Sequence, residues 1–549
     1  MEHTNMKKMN FFFLSVALFL FAHNADALVD LKNANYSEAA VDLSIPGTGY
    51  DLRVERAFNS RTLFNGMFGF GWCSEFETSL EITPEGNLKL TECGAGQEVL
   101  YETKGFSEKD IDKSVKAIME KAKQENLTST APYFSALEKR LKVESSLRSE
   151  YASKYGISRT VPDKMKFLAN GREADYIEKN GNYYSRVTPE GNIQKFKMNG
   201  KLEKIYDRNG NYLTLTYEGK LLTDVTDNSG RKLTMNYFEN GKIKQIKGPS
   251  GISAEYKFKN LNDLSWVKMA NGQVYTFEYD DLHNLLKVNL PDKKTREMTY
   301  NKNKDWITSF KDVDGCVENY DYKDSNDNPK DHYTSSVIKK CKNQVVLKAS
   351  YEFWFETKDD HTGKYLKKGR TDENGAVTDI VYNELGKPLT ITRGKRITKF
   401  DYYENGLLRK KITPDGVGTL LKYDNPLKKV SRIERGSKAT DFTYDAKGNL
   451  LKALNSDGQK IILTYDLAGR VAGLEDQAKR RIFIKYDPRV NKPSVIDREG
   501  VGAISVVYND KGEISKVSSP AGSSVAVQVA STFNNLLDLI QPAGVNLSF

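Results

Sequence analysis

Tyrosine returns along this chain at a nearly fixed interval, and no other feature constrains the fold as much. Tyr382, Tyr403, Tyr423, Tyr444, Tyr465, Tyr486 and Tyr508 are separated by steps of 21, 20, 21, 21, 21 and 22 residues. A looser run at Tyr217, Tyr237, Tyr256, Tyr279, Tyr300 and Tyr320 precedes them. Self-similarity of this kind marks an array of supersecondary units, each too small to bury its own apolar face until a neighbour stacks on it.

The unit is clearest in Tyr444-Asp445-Ala446-Lys447-Gly448-Asn449-Leu450 and in Tyr465-Asp466-Leu467-Ala468-Gly469-Arg470-Val471. Asp can hydrogen-bond the backbone of a turn and Gly can take positive φ, so the chain reverses and a strand ends at each tyrosine. Before the tyrosines, apolar residues alternate with period two: Leu213, Leu215, Tyr217; Ile461, Leu463, Tyr465; Ile504, Val506, Tyr508. That spacing puts three apolar side chains on one sheet face. Second turns fall within the units at Asn228-Ser229-Gly230, Asn271-Gly272, Asp415-Gly416 and Asp457-Gly458, which are hairpin signals. Each unit is therefore two strands and two turns. With 40 Gly, 30 Tyr and 25 Phe, and only 38% hydrophobic residues, the composition suits a turn-rich β protein with half-exposed strands.

The repeats resemble those of the Rhs/YD-repeat family. The N-terminal part carries the resemblance separately, through Val41-Asp42-Leu43-Ser44-Ile45-Pro46-Gly47, Leu52-Arg53-Val54-Glu55-Arg56-Ala57-Phe58 and Phe68-Gly69-Phe70-Gly71-Trp72. The resemblance implies a β-strand spiral curling into a hollow shell. In the larger relatives such a shell holds a toxic C-terminal domain released by aspartyl self-cleavage. No Asp-Pro-x-Gly-Leu motif is present, and Asp487-Pro488 is followed by Arg489-Val490, so neither self-cleavage nor an encoded toxin is expected.

The expected fold class is mainly β, a spiral or shell-like array of hairpins with a small helical insertion near the N-terminus. Residues 1–27 read as a secretory signal, with Lys7 and Lys8 before the apolar stretch Phe11 to Ala22 and Ala25-Asp26-Ala27 as cleavage site. An Rhs-type β domain is expected over 28–105. Over 106–160, Ile111, Val115, Ile118 and Met119, then Phe134, Leu137 and Leu141, follow helical spacing, and the stretch reads as two amphipathic helices capping the array. Repeats fill 161–330 and 371–520. An irregular interruption is expected at 331–370, and 521–549 forms an apolar tail.

Export makes Cys73, Cys93, Cys316 and Cys341 candidates for disulfides. Pairing Cys73 with Cys93 and Cys316 with Cys341 closes the shortest loops, and four buried thiols are the alternative. The stretch Asp324, Asn326, Asn328 has the alternate spacing of a calcium loop, but Pro329 and Ser335 stand where such a loop needs Gly and Glu. His283, His332 and His361 lack metal-ligand spacing. No catalytic, cofactor-binding or metal-ligating residue is therefore expected, although a carboxylate pair of a carbohydrate-active hydrolase could hide among the acidic residues. Formal charge is +10 over 549 residues, which reads as a solvated surface rather than a nucleic-acid site. No membrane span is expected, and the product is placed in the periplasm, at the cell surface or outside the cell. The leading expectation is a non-catalytic scaffold binding glycan or protein at a cell surface. The alternative is a shell or half-shell enclosing a separately encoded partner or toxin.

Overall fold

The computed structural model describes residues 27–519, with breaks at 48, 85, 93–96, 104–107, 126–129, 158–160, 170–171, 173, 359–363, 425 and 510–513. The proposed signal and the apolar tail lie outside the described residues. Among those described, thirty-six strands, from Ser79–Ile82 to Ile514–Ser518, form one antiparallel sheet in which each strand pairs with the next in sequence. The alternating residues face one side. Leu213, Leu215, Leu233, Met235, Ile461, Leu463, Ile482 and Ile484 are all buried.

At the end of a unit the ladder slips by one residue, and the aromatic sits on the slip: Tyr465 stands opposite Val471, next to a register shift after Thr464. Tyr217, Tyr237, Tyr279, Tyr300, Tyr382, Tyr423, Tyr444, Tyr486 and Tyr508 occupy the same place. Three tyrosines do not. Tyr256 is fully buried inside the strand Ser253–Lys259, and Phe258 takes the slip. Tyr403 falls just past the strand Arg396–Tyr402, and Tyr402 takes it. Tyr320 lies within Val317–Asp324, which pairs without a slip. The reason lies in the turns. A strand runs until its turn residues arrive, and near Tyr256 these are Asn260 and Leu261, both at positive φ, so the chain passes the tyrosine before reversing.

The tyrosine hydroxyl has a repeated task. Tyr423 donates to Leu408 O at 2.9 Å, Tyr444 to Val430 O at 2.8 Å, Tyr465 to Leu450 O at 2.8 Å and Tyr486 to Val471 O at 2.9 Å. Each acceptor is the residue facing the preceding unit's aromatic across the ladder. Each of these four hydroxyls thus ties its unit to the one before. Tyr465→Phe removes one such bond, and urea unfolding should register a loss of about 1 kcal/mol. The turn that follows is held by its acid: Asp466 Oδ1 accepts the N–H groups of Ala468 at 3.0 Å and Arg470 at 2.9 Å.

The sheet coils. Asn449 Nδ2 donates to Asn209 Oδ1 at 2.9 Å, and Asn211 Nδ2 donates to Ala468 O at 3.0 Å. Turns some 240 residues apart therefore touch, one level of the coil resting on another. Roughly twenty strands at ~4.8 Å spacing separate them, a circuit of about 100 Å and a ring about 30 Å across. The starting edge is closed as well: Leu80 N–H donates to Gly200 O at 2.9 Å, and Ser79 bridges Lys201.

The structure departs from two of the expected boundaries and from the expected number of helices. The strands Ser79–Ile82, Leu88–Glu92 and Gln97–Glu102 belong to the array, because the last of them pairs with Lys166–Ala169. The separate N-terminal sheet is confined to Ala27–Asp30, Asn35–Ile45, Leu52–Asn59 and Trp72–Ser74. Among the described residues of 331–370 the sheet is not interrupted. His332–Cys341, Gln344–Thr357 and Lys364–Glu373 are the longest strands of the sheet's wall, fully paired. At 10 to 14 residues they outrun the period of the other units, which is why the tyrosine spacing fails there. The insertion holds three helices, Glu108–Glu125, Ala131–Val143 and Ser145–Tyr155. The second and third are split where Glu144 turns extended. Their apolar residues close on each other, with Val115, Ile118, Met119, Ala122, Leu137, Leu141 and Ala152 forming a core of their own.

Candidate functional site

The N-terminal sheet lies against the inner face of the first level of the coil. Tyr36, Leu52, Val54, Phe58, Phe68 and Trp72 share one core with wall residues from Phe167 to Ala349. Backbone bonds seat it: Ala270 N–H donates to Asp42 O, Ile243 N–H to Met67 O and Phe70 N–H to Asn262 O, each at 2.9 Å. The last contact explains Gly69, which sits at φ +91° with its missing Cβ only 2.2 Å from Asn262 O.

Charges are buried at this seam. Arg56 Nε donates to Asp42 Oδ2 at 2.8 Å and Oδ1 at 3.0 Å, with side-chain exposures of 1% and 0%. Tyr256 OH from the wall adds a third bond to Asp42 at 3.0 Å, and the Arg56 guanidinium lies 4.3 Å over the Trp72 ring. Burial raises the Asp42 carboxyl above its ordinary range, while Arg56 and Tyr256 oppose that rise. A second buried pair joins Glu38 to the wall's Arg296 at 3.1 Å, and Tyr36 OH donates to Glu38 at 2.8 Å. Displaced Tyr256 is thus the tyrosine that reads the N-terminal domain's charge. Tyr279 also serves the seam, its hydroxyl accepting from Trp72 Nε1 at 2.8 Å.

Glu77 fastens the loop behind Trp72. Its Oε1 accepts Met67 N–H at 2.6 Å and its Oε2 accepts Ser74 N–H at 3.1 Å. Desolvation pushes the carboxyl up to about 7, against those two donors and Lys242. The folded value lies above the ordinary 4.5, so its stabilising contribution is full below about pH 4.5 and is lost as pH rises through about 7. Urea midpoints should show the seam weaker at pH 8 than at pH 5 by on the order of 1–3 kcal/mol, discounted for partial solvent contact, and Glu77→Gln should flatten the difference.

Beyond the N-terminal domain the same inner face is open. Within the strands Lys364–Glu373, Ala376–Tyr382, Pro388–Arg393, Arg396–Tyr402 and Leu408–Ile412, Ile380 alone is buried. Ile391, Phe400 and Leu408 remain half-exposed. Further on, Leu421, Ile433, Phe442, Leu450, Ile461, Leu474 and Ile482 form a second core from wall residues alone.

Cys316 and Cys341 are disulfide-bonded across the strands Val317–Asp324 and His332–Cys341. Cys73 is buried at 4% exposure, and Cys93 lies outside the described residues. His283 Nδ1 meets Asp263 at 2.7 Å, while its ring stacks on Phe70 at 4.5 Å. His332 Nε2 meets Glu352 at 2.7 Å and stacks on Trp354 at 4.9 Å. His361 lies outside the described residues. Among the described residues no group of three or more His, Cys, Asp and Glu is placed to hold a metal, and no helix is long and apolar enough to cross a membrane. The tyrosines on the slips are mostly half-buried.

Asp42 and Arg56 carried a sequence signal of their own, apart from the tyrosine periodicity. In Leu52, Val54, Arg56, Phe58 the arginine occupies an inward slot of a period-two strand, where a charge must find a partner.

A family profile described as "Domain of unknown function (DUF6531)" matches residues 28–101. No curated protein matches. Among solved structures, the chain is similar to the crystal structure of TcdB2-TccC3-TEV, at TM-score 0.33 and 13% identity over 90% of this chain and 27% of that one. It is also similar to the Photorhabdus luminescens Tc holotoxin pore with a mutated TccC3, at TM-score 0.40 and 11% identity over 88% of this chain and 29% of that one. The chain spans less than a third of the length of those two chains.

Proposed function

We propose that the protein is a non-catalytic wall segment of a shell, and that it holds a partner polypeptide against the part of its inner face that its own N-terminal domain leaves uncovered. One observation carries this. The same inner face continues from the buried first level into the strands Ala376–Tyr382, Pro388–Arg393 and Arg396–Tyr402, yet there Ile391 and Phe400 stay half-exposed. Apolar side chains kept on a paired, regular sheet face without cover of their own mark a surface that another chain completes. The Rhs-like organisation of the repeats agrees with this reading.

The test places a photo-reactive side chain at Phe400 on the inner face, or at Lys410 on the outer, in the producing cells. Crosslinking of one defined polypeptide from position 400 and none from 410 is the expected result. Equal crosslinking from both faces, or from neither, would reject enclosure. Binding of glycan or protein by the outer surface, the alternative for an exported scaffold, would then take its place.

A further inference from the structure

The net charge of +10 is not spread along the chain: residues 393–438 hold thirteen Lys and Arg against five Asp and Glu, an excess of eight. Structurally, this segment forms part of the second level of the coil. Turns 445–449 and 466–470 rest on the first level through Asn209 and Asn211. The turns at 393–396, 413–417 and 435–438 close the opposite ends of these strands, so they form the free rim.

Two hairpins on this rim are built against their own electrostatics. Arg393 and Arg396 face each other directly across the ladder, flanking a two-residue turn, and Arg435 faces Lys438 in the same way. Like charges at directly opposite positions destabilise a hairpin. Lys438 is relieved by Asp457 at 2.8 Å. The intervening turn offers Asp415, whose Oδ1 accepts from Thr413 Oγ1 at 2.5 Å and whose carboxyl is held low chiefly by that bond, with Arg435 adding a weaker pull. Arg393, Lys395 and Arg396 are all exposed. The two hairpins stand four strands apart, about 19 Å.

We infer that this rim is a docking surface for an acidic polypeptide. Repulsion that the hairpin tolerates when empty becomes binding energy when carboxylates bridge the two arginines, since paired guanidinium groups fit carboxylates in a bidentate manner. Ile397, exposed next to Arg396 and on the face away from Phe400, favours a protein over a purely charged polysaccharide. The inference is independent of the enclosed-partner reading, because the rim can bind without the inner face being filled.

The variant Arg396→Glu separates a ligand site from a structural one, because it should move binding and stability in opposite directions. Turning a repulsive cross-strand pair into an ion pair should raise the thermal midpoint of the full-length chain. Binding of a synthetic peptide of glutamates with interspersed phenylalanines, read at low salt by fluorescence anisotropy, should weaken by about tenfold or more. Reversal of Lys116 and Lys121, both exposed on the helix Glu108–Glu125, should leave binding within about twofold although it changes the net charge more. Equal weakening by the helix reversals would reduce the effect to net charge and overturn the inference. So would unchanged binding in Arg396→Glu, or binding of heparin in preference to the peptide, which would assign the rim to a sulfated polysaccharide. None of these outcomes touches the crosslink at position 400.

Discussion

Arg56→Ala should destabilise the seating of the N-terminal sheet by about 3–5 kcal/mol, because it leaves the Asp42 carboxylate buried without its counter-charge. Asp42 is 0% exposed in its side chain, and the single remaining bond from Tyr256 OH does not neutralise it. Removing Arg56 also takes a cation from the Trp72 face. Hydrogen exchange over residues 35–59 should read the loss, with protection collapsing there while strands 460–487, in the separate second core, keep theirs. Replacing both charges together, Asp42→Leu with Arg56→Met, should cost far less than the single change, since no charge is stranded. If the single and double variants lose the same stability, the ion pair is incidental and the apolar contacts alone hold the seam.

Gly200→Ala should cost about 2–5 kcal/mol and open the start of the sheet, the sum of forcing a side chain into the left-handed region and overpacking a backbone contact. The residue sits at φ +78°, and an added Cβ would stand 1.7 Å from Leu80 O. A neighbouring side chain could swing away, but Leu80 O is backbone and cannot move clear of residue 200 without disturbing the bond that Leu80 N–H donates to Gly200 O. Limited proteolysis between residues 79 and 102 should become faster by the corresponding factor. Unaltered cleavage would show that the first edge is held by the N-terminal core rather than by this closure.

The architecture was legible because it is repetitive, and repetition turns weak local preferences into a pattern. Period-two alternation, Asp-led turns and a tyrosine at each strand end together specify a unit. Position within the unit was harder to read. Tyr256, Tyr320 and Tyr403 look like their fellows in spacing, but the slip is set by where the turn begins, and Phe258 and Tyr402 hold it instead. Once Phe258 replaces Tyr256 in the series, the steps from 217 to 300 become 20, 21, 21 and 21, more regular than the tyrosines alone. The long strands around Gln344–Thr357 broke the period without breaking the sheet, which no fixed interval can capture. The third helix was not legible because Ser145–Tyr155 has almost no apolar stripe along its length. The basic rim was hidden for the opposite reason. A charge averaged over the whole chain conceals a cluster of a few dozen residues, and only the ladder register shows that Arg393 and Arg396 are opposed.

The hydroxyl bonds of Tyr423, Tyr444, Tyr465 and Tyr486 point one way, each reaching back to the unit already laid down. A ribosome delivers the chain in that same direction. The N-terminal sheet emerges before the wall and can act as the mandrel on which the early strands wind, and each of these four hairpins on finishing latches the one before it. Growth of that stretch of the wall is therefore vectorial, each new hairpin closing the latch on the one before it.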